Sequence, residues 1–421
     1  MRVYKFGGAS IADAGRMAAI LPIISDEQEP LLLVLSALGK TTNALEVIVN
    51  LATKGKKEEA LAAANTLEEQ HLEYARTLLE EACYAEASIA LRNHFAELEQ
   101  AVNDAHPAFY DYSYDQIVCM GELLSSTMFS FYLQQNNVPN EWLDIRKVIR
   151  TDATYRDAVV DWDFSAKKAG ETIMPKLHQG KIVVVQGFIG ATDDGKSVTL
   201  GREGSDYTAA ILAAMLNMDS VTIWKDVNGL QNADPKLFPN TLKIDAISYS
   251  EVIEMAFYGA QIIHPKTIKP LHNAHIPLYV KCFFDKELPG SVIKSEVDQA
   301  HYPPLIVLKD NQVLVQVTTR DFSFITEDNL STLYSIFHDL KIKINLIQNA
   351  AISFIACIDN REDKVKALIN TLGKHYKVAI NDHVQLLTVR HYTPEVIFEL
   401  TNDKQILLRQ ETRKTIQVVM K

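Results

Sequence analysis

The sequence predicts an α/β protein: a parallel sheet carrying a helical insertion, followed by a smaller α+β region. Three observations carry this expectation. Two short apolar runs, Arg2 to Phe6 and Leu31 to Ser36, each end at Gly or Ser and lead into helix-like sequence, the rhythm of strand–loop–helix units. Two later runs, Lys181 to Gly187 and Ser220 to Lys225, are apolar enough to lie buried on both faces of a sheet. Beyond residue 312 the pattern becomes βαββαβ, the split ferredoxin-like arrangement.

Taken in order, the first two units are followed from about 44 to 108 by Ala-, Leu- and Glu-rich sequence. Its apolar residues (Leu61, Leu67, Leu72, Leu78, Leu79, Leu91, Leu98) recur at helical spacing, so a helical insertion is expected. Strand signals return at Glu141 to Leu143, and helices are expected over Asp206 to Leu216 and Ser250 to Tyr258. Between Asp285 and Pro303 the rhythm breaks at Pro289-Gly290 and Pro303-Pro304, which places a domain boundary near 295 and divides the chain into 1–295 and 296–421. The second part holds one complete module at about 312–382: strand Gln312 to Arg320, helix Asn329 to Leu340, strands Ile342 to Gln348 and Ala351 to Ile358, helix Glu362 to Gly373, and a strand near Val378. A shortened module follows over 384–421, with a strand at Val384 to Val389, a helix at Thr393 to Leu400 and two more strands. The apolar segment Leu305 to Leu308, within 304–310, is expected to pair with it and fill part of its uncovered edge.

Composition narrows the function. In 421 residues, 42 Lys and Arg face 53 Asp and Glu, a net charge of −11, which lacks the basic balance of a nucleic-acid binder. Apolar residues at 47% and charged residues at 23% describe a folded globular protein. The start lacks an apolar leader and no stretch approaches the roughly 20 apolar residues that span a bilayer, so a cytoplasmic protein without a membrane partner is expected. Cys83, Cys119, Cys282 and Cys357 form no CxxC pair, and His272 and His275 lack neighbouring ligands; reduced core thiols, packing histidines and no metal centre are expected.

The chemistry concentrates at strand ends. Lys5-Phe6-Gly7-Gly8-Ala9-Ser10 joins the first strand to a helix, where two glycines let backbone N–H groups approach an anion and Lys5 adds a mobile charge. Gly39-Lys40-Thr41-Thr42 imitates the end of a phosphate-binding P-loop, but Val34 stands where that motif needs its first glycine. Ser36, Thr41 and Thr42 instead sit at the crevice end of the second strand; for Ser36, capping of the next helix is the favoured reading. Gly201-Arg202-Glu203-Gly204-Ser205-Asp206 opens an apolar helix. Arg202 can grip a carboxylate with two hydrogen bonds, while Ser205 and Asp206 suit either ligand binding or capping. Trp224-Lys225-Asp226-Val227-Asn228-Gly229, followed by Asp234-Pro235-Lys236, reads as a nucleotide loop or an Asn-Gly turn with solvated charges. In Gly259-Ala260-Gln261-Ile262-Ile263-His264-Pro265-Lys266, Lys266 is within plausible reach of a phosphate.

These segments, in this order and with Gly121-Glu122-Leu123-Leu124-Ser125 between them, resemble the aspartate kinases of the amino acid kinase superfamily. The resemblance implies an amino acid kinase-like parallel-sheet sandwich followed by an ACT regulatory region. It implies phosphoryl transfer from ATP, with Mg²⁺ on its phosphates, to L-aspartate, giving 4-phospho-L-aspartate at the entry to lysine, threonine and methionine synthesis. Lys5 and Asp206 become the catalytic pair, and Arg202 and Glu122 take the α-carboxylate and α-ammonium of aspartate, with Thr42, Gly204 and Ser205 completing that pocket. Lys5, Gly7, Gly8, Lys225, Asp226, Gln231, Lys236, Gln261 and Ile262 form the nucleotide set. An amino-acid effector and a homodimer formed through the ACT region are implied as well.

The pattern also departs from the family. Ala9 replaces a usual threonine, Gln261 stands at a usual lysine, and Ala350-Ala351 occupy a turn that often carries effector-binding Ser and Glu. The sequence ends at Lys421, so no fused homoserine dehydrogenase is expected. The rival readings are glutamate 5-kinase or another kinase of the same fold, and a catalytically weak amino-acid-sensing subunit.

Overall fold

The computed structural model describes residues 1–297 and 302–421. Two compact units are formed: Met1–Leu230, Asp245–Ile253 and Ile262–Val297 make the first, and Gln231–Ile244, Glu254–Gln261 and Asp298–Lys421 the second. Residues 298–301, part of the expected break at Asp285 to Pro303, lie outside the described residues.

The first unit is built on an eight-stranded sheet in the order Ala246–Ser248, Ser291–Lys294, Leu278–Cys282, Ser220–Lys225, Arg2–Phe6, Leu31–Leu35, Ile182–Gln186, Asn140–Trp142. All neighbours are parallel except Leu278–Cys282 with Ser291–Lys294. Leu31–Leu35 and Ile182–Gln186 are Val, Leu and Ile runs, and all four central strands are largely buried, because helices pack on the sheet. Gly204–Met215 lies against the strands starting at Arg2, Leu31 and Ser220, and Met120–Gln135 against those starting at Leu31 and Ile182. The parallel order brings the loops after Phe6, Leu35 and Lys225 to one sheet edge, where ligands bind in open α/β sheets.

The helical insertion begins at Thr41 and consists of Thr41–Thr53, Lys57–Leu78 and Glu81–Asp104, packed on one another. Its buried stripe differs from the leucine pattern. Along Lys57–Leu78 the inward residues are Ala60, Ala64, Leu67, His71, Ala75 and Leu78, whereas Leu61 and Leu72 are half-buried, because small residues let the helices approach closely. The insertion also braces the loops after the first two strands: Tyr74 donates to the Ile11 carbonyl at 3.0 Å, and His71 Nε2 lies 3.4 Å from Thr41 Oγ1.

In the second unit a six-stranded antiparallel sheet runs Ile344–Asn349, Ser353–Asp359, Leu305–Thr319, Tyr376–Arg390, Thr415–Met420, Ile406–Glu411. Leu305 to Leu308 pair with Arg390 to Leu387 in the C-terminal part of this sheet. One correction applies. The expected strands at 305–308 and 312–320 are a single strand, as are those near 378 and at 384–389, so the two modules share one continuous sheet. Asn311 and His383 adopt φ of 51° and 50° where the ladder shifts register, a bulge that breaks the sequence pattern without ending either strand. The helices Glu327–Asp339 and Glu362–Leu372 belong to the first module and Pro394–Thr401 to the second; Leu333, Phe337, Val365, Leu368 and Leu372 pack with Phe354 into a core of the first module.

All four cysteines are free thiols, and three are buried. Among the described residues, no helix is long and apolar enough to cross a membrane.

Candidate active site

A cleft of about 520 Å³ opens at the strand ends of the first unit. Lys5, the penultimate residue of the first strand, places its ammonium 2.6 Å from Asp206 Oδ1, and both side chains are nearly buried. Lys225, at the end of the adjacent strand, lies 3.8 Å from Asp206 Oδ2 and donates to the Ile262 carbonyl at 3.2 Å. Asp206 sits in the first turn of Gly204–Met215, where the helix dipole favours an anion. Burial opposes its charge, but Lys5 and Lys225 outweigh burial and hold the carboxyl below its ordinary range. The capping reading of Ser205 and Asp206 is not realised: the helix is preceded by Glu203 at φ 53° with no side-chain cap.

The helix start is fixed from behind. A Cβ on Gly204 would fall 2.5 Å from the Phe188 ring and one on Gly187 would fall 2.4 Å from Ser205 Cβ, while the Phe188 N–H donates to Thr208 Oγ1 at 2.9 Å. Glycine is therefore required where this helix meets the turn after Ile182–Gln186.

The loops after the first two strands touch. The Gly39 N–H donates to the Gly8 carbonyl at 3.1 Å, and a Cβ on Gly8 would meet the Ala37 carbonyl at 2.9 Å, so residue 8 accepts no side chain. Ser36 and Thr42 line the same wall. Ser36 caps no helix, contrary to the favoured reading. The next helix starts at Thr41 behind Lys40 without a side-chain cap, and Ser36 is instead tied down by its N–H to Phe6 and by Ser125 Oγ donating to its carbonyl at 2.7 Å.

Glu122, in the first turn of Met120–Gln135, is 3% exposed, and its Oε2 lacks a hydrogen-bond partner among the described residues. Burial pushes its carboxyl up to about 8, against the amides of Ala37 and Glu122 itself and the Lys5 charge. A buried carboxylate with an unused oxygen, facing a cleft, is arranged for a cationic group. Arg202 reaches the same cleft from an exposed position.

The structure thus gathers Lys5, Gly8, Thr42, Glu122, Arg202, Gly204, Ser205, Asp206 and Lys225. Gly7, Asp226 and Ile262 are not among the lining residues: Gly7 adjoins the cleft, a Cβ there falling 3.5 Å from the Lys5 ammonium, Asp226 is exposed in the turn after its strand, and Ile262 contributes its carbonyl to Lys225. Gln231, Lys236 and Gln261 belong to the second unit. Lys266 pairs with Asp157 and lines a separate cavity with Trp162 and Tyr207. Sequence reasoning missed Tyr114, Arg156, Phe188 and Thr199, which line the cleft.

The profile of the amino acid kinase family matches residues 1–282. Lysine-sensitive aspartokinase 3 of Escherichia coli is 32% identical over 363 residues, covering 85% of this chain and 78% of the relative. The chain belongs to the aspartokinases of the amino acid kinase family. A chloroplastic bifunctional aspartokinase/homoserine dehydrogenase 2 of Arabidopsis thaliana is 29% identical over 388 residues; the match covers 90% of this chain but only 42% of that relative. The crystal structure of E. coli aspartokinase III in complex with lysine and aspartate matches with a TM-score of 0.81 at 27% identity, covering 100% of this chain and 95% of that one. The same enzyme in complex with aspartate and ADP matches at 0.79. The continuous antiparallel sheet of the second unit is ACT-like.

Proposed function

We propose that this chain transfers the γ-phosphoryl group of ATP to the β-carboxylate of L-aspartate, yielding 4-phospho-L-aspartate and ADP. The observation that carries the proposal is the buried Lys5–Asp206 pair at 2.6 Å, set in a cleft that also holds Arg202 and the half-unpartnered Glu122. The acceptor carboxylate is already a nucleophile at neutral pH, so the protein supplies position and charge rather than a strong base. Lys5 and the backbone amides at Gly7 and Gly8 stabilise the moving phosphoryl group, with Asp206 aiming Lys5. Arg202 takes the α-carboxylate and Glu122 the α-ammonium, and Thr42, Gly204 and Ser205 close the pocket. Within the first unit, Lys225, Asp226 and Ile262 are assigned to the nucleotide.

Mg²⁺ is carried by the triphosphate rather than by a protein cage. Among the described residues no three His, Cys, Asp or Glu side chains come together, and the Asp206 oxygens are engaged by Lys5 and Lys225. When bound, the ion would neutralise phosphate charge; the steps assigned to this chain are those of its own side chains.

Residues 1–295 form the catalytic domain and 296–421 the regulatory region in this reading, and the chain acts in the cytoplasm. A homodimer through the antiparallel sheet accounts for the exposed Ile406 on the edge strand Ile406–Glu411 and for Phe398, 67% exposed, on the neighbouring helix. An ADP-release assay on the purified chain, with aspartate, glutamate and UMP as acceptors and with lysine, threonine and methionine added in turn, tests the proposal. Turnover on aspartate is expected, and its absence overturns the reading.

A further inference from the structure

Arg156 holds a backbone conformation that glycine would adopt more cheaply. Its φ is 69°, in the left-handed region, yet the residue is a long cationic one in the turn between the isolated bridge partners Thr151 and Val160. The fold invests in keeping it there. Asp115, fully buried on the helix Tyr110–Val118, accepts from the Arg156 N–H at 2.9 Å, from the Thr199 N–H at 2.8 Å and from Thr199 Oγ1 at 2.7 Å. One carboxylate thereby ties the Arg156 turn to the strand Ser197–Thr199, and both Arg156 and Thr199 line the cleft.

The turn also abuts the segment that presents Arg202. A Cβ on Gly201 would lie 2.4 Å from Asp157 Oδ1 and 3.2 Å from the Arg156 carbonyl, so the two arginines enter the cleft from touching backbones. The Arg156 guanidinium is supported from outside. It lies 4.6 Å from the centre of the Tyr114 ring, itself a cleft residue, and meets Asp111 at 3.1 Å. A strained arginine, clamped by a buried carboxylate, stacked on an aromatic wall and facing a cleft beside another arginine, is built for its side chain rather than its backbone.

We propose that Arg156 is a second carboxylate-gripping arginine of the amino-acid pocket, matching a substrate that carries two carboxylates, with Asp115 as its positioning residue. The inference rests on the proposed aspartate-phosphorylating function.

The test compares wild type, Arg156→Gly and Asp111→Ala by steady-state kinetics and thermal melting. Glycine is at home at φ 69°, so Arg156→Gly is expected to keep or raise Tm, while KM for aspartate rises about tenfold or more with KM for ATP unchanged. Asp111→Ala removes only the outer ion pair and is expected to leave both KM values within about twofold, in line with exposed pairs. A wild-type aspartate KM in Arg156→Gly overturns the inference. So does an effect confined to ATP, or an Asp111→Ala variant that reproduces the defect, which would make Arg156 a structural brace. If the wild type ignores aspartate but phosphorylates another acceptor, the functional reading falls. The ratio between Arg156→Gly and wild type on that acceptor then decides the role of Arg156 separately.

Discussion

The Lys5 ammonium and the Asp206 carboxylate meet at 2.6 Å although they are far apart in sequence, one near the end of the first strand and one in the first turn of a helix. Both are buried, and Lys5 together with Lys225 holds the Asp206 carboxyl below its ordinary range against the effect of burial. Lys5→Ala is therefore expected to reduce kcat by on the order of 10² or more, by removing one preorganised charge contact to the transferring group. Lys225 remains within 3.8 Å of Asp206, so the fold is expected to survive. Rapid-quench or coupled ADP-release kinetics on a variant checked by circular dichroism measures this, and near-normal kcat would remove Lys5 from its assigned role.

Glu122 supplies a pH signature. Its carboxyl, raised from 4.5 to about 8, is largely protonated at neutral pH in the free protein. The folded state then holds a proton that the unfolded state has released, so this group's contribution to stability falls as pH rises from about 4.5 to about 8. An α-ammonium needs the ionised form, so binding should expel the proton and KM for aspartate should fall as pH rises from 6 to 8. Glu122→Gln should flatten that dependence. Calorimetry in buffers of different ionisation enthalpy reads the released proton directly, and the absence of release would contradict the ammonium contact.

Arg202→Ala should raise KM for aspartate roughly 10- to 100-fold, the worth of a charge-assisted hydrogen bond, while KM for ATP changes little. Steady-state kinetics with each substrate varied in turn separates the two. A change in the ATP constant alone would mean that Arg202 faces the nucleotide.

Regulation makes a fourth prediction. Sedimentation at micromolar concentration should show a dimer, and a monomer would remove the role assigned to the exposed edge. The turn at Ala350-Ala351 offers only backbone groups, its Ala350 N–H bonded to the Ser353 carbonyl, so sub-millimolar lysine should inhibit weakly or not at all. Strong inhibition in the ADP-release assay would show that the effector finds its side-chain contacts elsewhere.

How much of this was legible in the sequence depended on range. Lys5, Arg202, Glu122 and Asp206 stand within two residues of a glycine at strand or helix ends, where a local pattern suffices to mark them. The strand Ser220–Lys225 was bounded correctly because its run of Val221, Ile223 and Trp224 gives way to the polar turn Asp226-Val227-Asn228-Gly229. Arg156 was invisible because nothing near it in sequence says that Asp115 will clamp its amide or that Gly201 will lie against it. The merged strands failed for the opposite reason. Asp310-Asn311 and Asp382-His383 look like turns, and only the pairing of the two bulged strands with each other carries the ladder through.

Those two long strands bear on how the second unit can be rebuilt or dissected. Leu305–Thr319 and Tyr376–Arg390 are each shared by both modules, so no single peptide bond separates one module from the other. Grafting a homologous sensor in place of residues 384–421 would leave the stretch from Leu305 to Lys309 facing a foreign edge. Amides on either side of the bulges should likewise share a common opening free energy in hydrogen exchange, opening together as one block.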